Sequence, residues 1–71
     1  MPKMRSVYSS HVDKIGHDAE ANELHVKWQG SGKTSVYEGV PADLAHQVMN
    51  AHSVGQALNE HIKDNYKHHY A

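Results

Sequence analysis

The sequence predicts an α+β fold, βββαα in chain order: a three-stranded antiparallel β-meander followed by two C-terminal α-helices packed on one face of the sheet. Two observations carry this prediction. Up to Val40 the clearest apolar pattern has a period of two, and beyond Pro41 the apolar residues recur at three- and four-residue spacing. Proline has no N–H to give to a strand ladder, and its fixed φ suits the first turn of a helix, so Pro41 marks the change from sheet to helix.

The second strand, predicted over residues 23–29, has the cleanest pattern. Leu24, Val26 and Trp28 alternate with polar residues, as expected for an antiparallel strand with one buried face and one solvent face. A glycine-rich stretch, residues 30–33, follows it and predicts a tight turn into the third strand.

The first strand is predicted over residues 9–18, and it does not alternate cleanly. Its apolar anchors, Val12 and Ile15, are three residues apart and therefore have opposite parity. An extra residue near Asp13-Lys14 would return both side chains to one face, because a β-bulge places two residues of one strand opposite a single partner. The pattern therefore predicts a bulge at this point.

The third strand is predicted over residues 34–40. Val36 and Glu38 share one face of it, and Tyr37 lies on the other. A glutamate prefers solvent, so the face that carries Glu38 is predicted to be the solvent face. Tyr37, on the other face, is then predicted to point toward the core. We expect the Tyr37 ring to pack inside, with its hydroxyl at the rim.

The two helices are predicted over residues 41–51 and 54–63, the second with an extension of up to three residues. Asp43 lies in the first turn of the first helix, where a carboxylate suits the helix dipole. Ser53 and Gln56 match the capping box, with serine at the N-cap and glutamine three residues later. The apolar stripe that follows supports a helix start at this serine.

At 71 residues the chain has room for one domain, residues 1–71, with a small core. We expect residues 1–8 to form a loose N-terminal arm and residues 67–71 a frayed tail. The predicted core is Ile15, Leu24, Val26, Trp28, Val40, Leu44, Val48, Met49, Leu58 and Ile62.

The amino-acid composition excludes some classes of site and disfavours some classes of function. Cysteine is absent, which excludes disulfides and thiolate metal sites. No apolar run follows the N-terminal residues, so we expect a cytoplasmic protein with no membrane contact. Lysine and arginine total 7 against 8 aspartates and glutamates, a formal net charge of −1, which disfavours a strongly electrostatic nucleic-acid binder. The 8 histidines are unusual, and we expect most of them to be solvated surface residues.

Several short motifs occur in order along the chain: Ser9-Ser10, Ile15-Gly16-His17-Asp18, Leu24-His25-Val26, Tyr37, Gly39-Val40-Pro41, Ala51, Ser53, Gly55, Asn59 and Ile62. Together they resemble the KTSC domain, a module named after the C-terminal region of some lysyl-tRNA synthetases. The module also occurs as a small free-standing bacterial or phage protein. The resemblance covers roughly residues 7–66. It implies an α+β fold, and the association with a synthetase implies RNA binding.

Three positions depart from the family pattern. Ser35 and His17 stand where the family carries tyrosines, and Leu58 stands where an aromatic residue is usual. The chain therefore lacks aromatic surface that RNA stacking would use. Because His17 replaces a tyrosine beside an apolar residue, we predict that it alone of the histidines is buried.

We predict a small non-catalytic binding module with RNA as the leading partner. Single-stranded RNA is held by rings that stack on bases and cations that meet phosphates. Tyr8 and Trp28 are further rings of this kind, although the parity of Trp28 assigns it to the core. The predicted RNA-binding residues are Tyr37, Lys27, Lys33, His25 and Arg5.

The alternative is a protein–protein interaction or homodimerisation module, using a sheet edge or the open sheet face. No two histidines are four residues apart, and no phosphate loop or glycine elbow around a serine is present. We therefore expect no enzyme activity, no cofactor and no native metal site. The small core leaves little room for a small-molecule substrate.

Overall fold

The computed structural model describes residues 2–71 and contains one antiparallel sheet and two helices. The strands lie side by side in chain order, with the last added beside β4 after the helices. The elements are β1 (Arg5–Ser6), β2 (Val12–Asp18), β3 (Glu23–Trp28), β4 (Thr34–Glu38), α1 (Ala42–Met49), α2 (Val54–His61) and β5 (His68–Tyr70).

The α+β class, the antiparallel sheet and the order of helices after the main strands are confirmed, but the predicted number of strands is wrong. The described residues form five strands, and both additional strands lie in segments predicted as a loose arm and a frayed tail. Arg5 pairs with Ile15 at one edge of the sheet, and Tyr70 pairs with Ser35 at the other. Both strands are short and exposed, so neither has the alternating apolar pattern that marks a strand in sequence.

The predicted β-bulge in β2 is confirmed. Val12 pairs with Trp28, but the next pair is Lys14 with Lys27, so the register shifts between Val12 and Lys14. The shift places both Val12 and Ile15 fully inside. Two apolar residues of opposite parity thus reach the same core.

The core lies between the sheet and the two helices. From the sheet, Leu24, Val26 and Tyr37 face it. The burial of Tyr37, which is 2% exposed, confirms the orientation that Glu38 predicted. Trp28 is only half-buried and packs against the edge of this core. The helices supply Ala45, Val48, Val54, Ala57 and Leu58, with Ile62 directly after α2.

The two helices begin where predicted to within one residue, and both end earlier. α2 follows a real serine cap, because the Ser53 Oγ accepts a hydrogen bond from the Gln56 N–H at 3.3 Å. The other half of the capping box is not formed, since the Gln56 side chain donates to Glu60 instead. α1 begins after Pro41 with no side-chain cap, and neither helix has the length and apolar character needed to cross a bilayer.

Candidate functional site

A groove of about 700 Å³ opens between the β4–β5 edge of the sheet and the segment that follows α2. β3 and β4 provide its floor, and β5 provides one wall. Its lining residues are His11, Trp28, Ser31, Ser35, Tyr37, Lys63, Asp64, His68 and Tyr70. Rings and hydrogen-bonding side chains dominate this surface, which can contact flat, polar ligands.

Trp28, at the end of β3, holds a fixed orientation in the groove. Its indole N–H donates to the Ser35 hydroxyl at 2.7 Å, and Ser35 itself is 2% exposed. Because both partners are held by adjacent strands, the indole plane cannot rotate freely. One edge of Trp28 packs on the core, while the rest of the half-buried ring lines the groove.

β5 brings two more rings to the groove wall. The His68 ring lies 5.3 Å from the Tyr37 ring and 5.8 Å from the Tyr70 ring, measured between centroids. Tyr70 is 61% exposed, and the Lys33 Nζ sits 5.4 Å from the centre of its ring. The result is a short series of rings that runs from the core to solvent, with a cation at its outer end.

The groove continues past Trp28 along the start of α2. Two adjoining depressions share His11 with the first, and one of them also shares Trp28 and Lys63. The far depression is bounded by Tyr8, which is fully exposed, and by His52. His11 therefore lies at the centre of one extended trough.

The structure does not bring the five predicted RNA-binding residues into one site. Tyr37 forms the floor of the groove with almost no exposed surface, and Lys33 lies at its outer end. Lys27 and His25 lie on the face of β3 that is turned away from the groove and the helices. Arg5 is near the end of α1, where its guanidinium donates to the Met49 carbonyl and the Asn50 side chain at 2.9 Å each.

Burial also changes the acidity of the Tyr37 hydroxyl. Loss of solvent around its hydroxyl raises the pKa of Tyr37 above the ordinary tyrosine value, and the nearby Tyr70 adds to the rise. The phenol is therefore held in its neutral form over a wider pH range than an exposed tyrosine.

The prediction that His17 alone is buried is wrong. His17 is half-buried, with its Nε2 2.7 Å from the Val40 carbonyl oxygen, whereas His25 is 7% exposed. His25 Nε2 lies 3.3 Å from a Glu23 carboxylate oxygen, and its Nδ1 has no hydrogen-bond partner within residues 2–71. The parity argument had placed His25 on a solvent face and could not show that its neighbours cover it.

The face of the sheet turned away from the helices, here called the open face, carries charges in rows. Asp18, Glu23 and Glu38 are direct cross-strand neighbours in one row. Lys14 and Lys27 are neighbours in another row, four residues away along the strands. Like charges directly opposite each other destabilise a sheet, so both rows cost stability.

The row between these charges is largely covered, with His25 7% and Val36 2% exposed. Gly16, His25 and Val36 are cross-strand neighbours there, and His69 extends the row onto β5. A Cβ on Gly16 would lie 2.6 Å from the Lys3 carbonyl oxygen, so only glycine lets the N-terminal segment lie against the sheet.

Three side chains at the acidic row, Asp18, Glu23 and His25, are close enough to one another to hold a cation. Ligand atoms of Asp18, Glu23 and His25 all lie within 4.8 Å of one another. Two of these side chains already have partners, because Asp18 accepts from the N–H groups of Glu20 and Ala21 while Glu23 pairs with His25.

Sequence reasoning missed four groove residues: His11, Lys63, His68 and Tyr70. His68 and Tyr70 are two residues apart, the spacing of one strand face. Three residues without a turn signal are too few to predict a strand, and the pairing partner lies 35 positions earlier in the chain. Only the fold places His11 and Lys63 beside Trp28.

Comparisons with known proteins agree with this architecture. The family profile described as "KTSC domain" matches residues 8–66. A crystal structure of a KTSC domain protein from Yersinia pestis is 27% identical, with a TM-score of 0.92 over 100% of this chain and 99% of that one. No similar protein was found among the curated proteins. Because the profile covers most of the chain and the folds coincide, the chain belongs to the KTSC domain family.

Proposed function

We propose that this KTSC domain is a small, non-catalytic module that binds single-stranded RNA in the groove beside β5. The observation that carries the proposal is the extended trough in which Tyr70, His68, Trp28, His11 and Tyr8 line one path. Exposed rings along one groove are the usual means of holding unpaired bases.

The fixed orientation of Trp28 supports this use of the groove. Its hydrogen bond to buried Ser35 orders the indole before any ligand arrives. A ring that is already ordered loses little entropy on stacking, so more of the stacking energy remains as affinity. The Lys33 Nζ lies close to the Tyr70 ring. If a base stacks on Tyr70, this positive charge is near enough to attract the phosphate of the same nucleotide.

The cations of the trough are few, and this determines the affinity we expect. Lys33 and Lys63 are the lysines beside it, and Asp64 opposes them with a negative charge. With a net charge of −1 for the whole chain, we expect weak binding that stacking supports and that salt reduces only moderately.

The test is a titration of a labelled single-stranded RNA of mixed sequence at two salt concentrations. Trp28 is the single tryptophan, so its fluorescence reports directly on the groove. We expect the RNA to quench Trp28 and its own anisotropy to rise at low salt. Tyr70→Ala should weaken binding about tenfold, because base–ring stacking contributes ~1–3 kcal/mol.

Lys63→Ala and Lys14→Ala form a matched pair of charge removals. Lys63 lines the trough and Lys14 lies on the opposite face of the sheet, so only the first should weaken the complex and its dependence on salt. Absence of binding at low salt, or equal losses in the two lysine variants, would contradict the proposed groove.

A further inference from the structure

The extended trough holds more histidines than lysines. His11 lines all three of its depressions, His68 lines the wall formed by β5, and His52 bounds the far end. All three side chains belong to exposed residues. The histidines are thus spread from one end of the trough to the other.

Histidine is the side chain whose charge changes near neutral pH. An imidazole in water is largely neutral above about pH 7.5 and largely protonated below about pH 5.5. The permanent charges of the trough are the lysines Lys33 and Lys63 and, against them, the carboxylate of Asp64. Three protonated imidazoles would therefore supply most of the positive charge of this surface.

At the β5 end of the trough, the neighbours of His68 permit this gain of charge. Its ring lies 5.3 Å from the Tyr37 ring and 5.8 Å from the Tyr70 ring, between centroids, and a phenol is uncharged throughout this interval of pH. Lys63 and Asp64 face this end from the segment after α2. Their opposite charges largely offset each other.

The middle of the trough has no carboxylate on its far side. His11 shares two depressions there with Tyr8, His52 and Lys63, which are the other titratable residues among those of residues 2–71 that line them. Asp64 approaches His11 only from the β5 side. A proton gained by His11 therefore adds to the positive charge of the trough.

At the far end, one carboxylate lies near His52. Glu60 and His61, at the end of α2, border a shallow depression together with His52. Glu60 Oε2 lies 3.9 Å from the His61 Nε2, and the other carboxylate oxygen accepts a hydrogen bond from Gln56. In acid, a protonated His61 would offset the charge of Glu60 and leave that of His52.

We propose that protonation of the trough histidines regulates RNA binding, so that the affinity is low at about pH 7.5 and rises as the pH falls to about 5.5. This inference rests on the proposed function, because it concerns the same trough and the same ligand. Each histidine that gains a proton can neutralise one RNA phosphate and release its counterion. The imidazolium N–H can also donate a charge-assisted hydrogen bond to the phosphate oxygen.

The release of counterions determines the size of the effect. For a single strand, the logarithm of the binding constant falls with the logarithm of the salt concentration by roughly 0.7 for each neutralised phosphate. Three protonated histidines should therefore steepen this slope by up to about 2. One charge-assisted hydrogen bond is enough to raise the affinity about tenfold.

A titration of the whole chain with a short oligouridylate tests the proposal at about pH 7.5 and about pH 5.5, each at two salt concentrations. The RNA lacks a terminal phosphate and carries a dye that does not respond to pH, and uracil gains no proton in this interval, so the change reports on the protein. We expect the affinity and its salt dependence both to rise in acid. Equal affinity at the two pH values would overturn the regulation and leave the groove, whereas absence of binding at both would overturn the groove itself.

Two double variants show where the protons act. The first replaces two histidines of the trough: His11→Gln and His68→Gln. The second is the matched control and replaces two exposed histidines on α1 and on the other face of β5: His46→Gln and His69→Gln. The first should lose most of the gain in affinity between the two pH values, and the second should keep it.

The ratio of the two affinities is the quantity to compare, because loss of the His68 ring lowers both affinities through stacking and leaves their ratio unchanged. Circular dichroism at each pH should confirm that every variant is folded, and about pH 6.0 replaces the lower value if any of them unfolds. An equal gain in acid for both double variants would refute the proposal, since the attraction would then come from the charge of the chain as a whole.

Discussion

Tyr37 connects the core of this domain to its groove. Its ring is buried among core residues, lies 5.3 Å from the His68 ring of β5 between centroids, and forms part of the groove floor. A residue in this position cannot stack on a base, but it positions the rings that can. Sequence parity predicted the inward ring correctly, while the contact with His68 depended on a strand that the sequence did not reveal.

The raised pKa of Tyr37 predicts a loss of stability in alkali. Burial first, and Tyr70 second, raise the pKa of Tyr37 in the folded chain above the value near 10.0 expected when unfolded. The folded state therefore retains its proton longer than the unfolded state. The resulting stability is fully present below about pH 10 and is lost as pH rises through the folded pKa.

Urea unfolding at neutral pH and above about pH 10 measures this loss. Tyr37→Phe removes the hydroxyl, so the variant should lose less stability than the unchanged protein over the same interval. If both proteins lose the same amount, the alkaline loss comes from other groups and the prediction is wrong.

At the scale of elements, local signals predicted those parts whose partners are near in sequence. β3 was evident because Leu24 and Val26 alternate with polar residues, and the bulge of β2 followed from Val12 and Ile15. Helix α2 followed from its cap at Ser53. β5 was not predictable, because its exposed residues have no pattern of their own and form a strand only by pairing with β4.

The cap at Ser53 predicts a measurable contribution to stability. Ser53→Ala leaves the Gln56 N–H without its partner, and loss of an N-cap costs roughly 0.5–2 kcal/mol. In a domain of this size 1 kcal/mol corresponds to a shift of ~4–8 °C in Tm. Thermal unfolding followed by circular dichroism gives the shift. Ser10→Ala, an exposed loop serine, is the control and should leave Tm unchanged; equal Tm values for all three proteins would show that the cap contributes nothing.

At the scale of the whole molecule, the strand order of the sheet follows the order of the strands in the chain. β1 and β5 are the two edge strands, so they lie at opposite edges of the sheet. The groove needs β5, whereas the open face is built mainly from β2 and β3.

A chain that stops after Lys67 should test the contribution of β5 to the groove. It loses His68 and Tyr70 from the groove and exposes one side of Tyr37, so we expect a lower Tm and loss of RNA binding. His69→Ala, which removes one side chain from the other face of β5, is the milder control and should keep RNA binding; full RNA binding by the shortened chain would contradict the role of β5.

The position of β5 also has a consequence for how the protein is made. Ribosomes deliver a chain from its N-terminus, and the hairpins that join β2, β3 and β4 need only residues that emerge early. β5 emerges only after both helices and then pairs with Ser35 and Tyr37 of β4. A nascent chain can thus bury much of its interior while still attached to the ribosome, yet its aromatic trough is completed only once residues 68–70 have emerged and paired with β4.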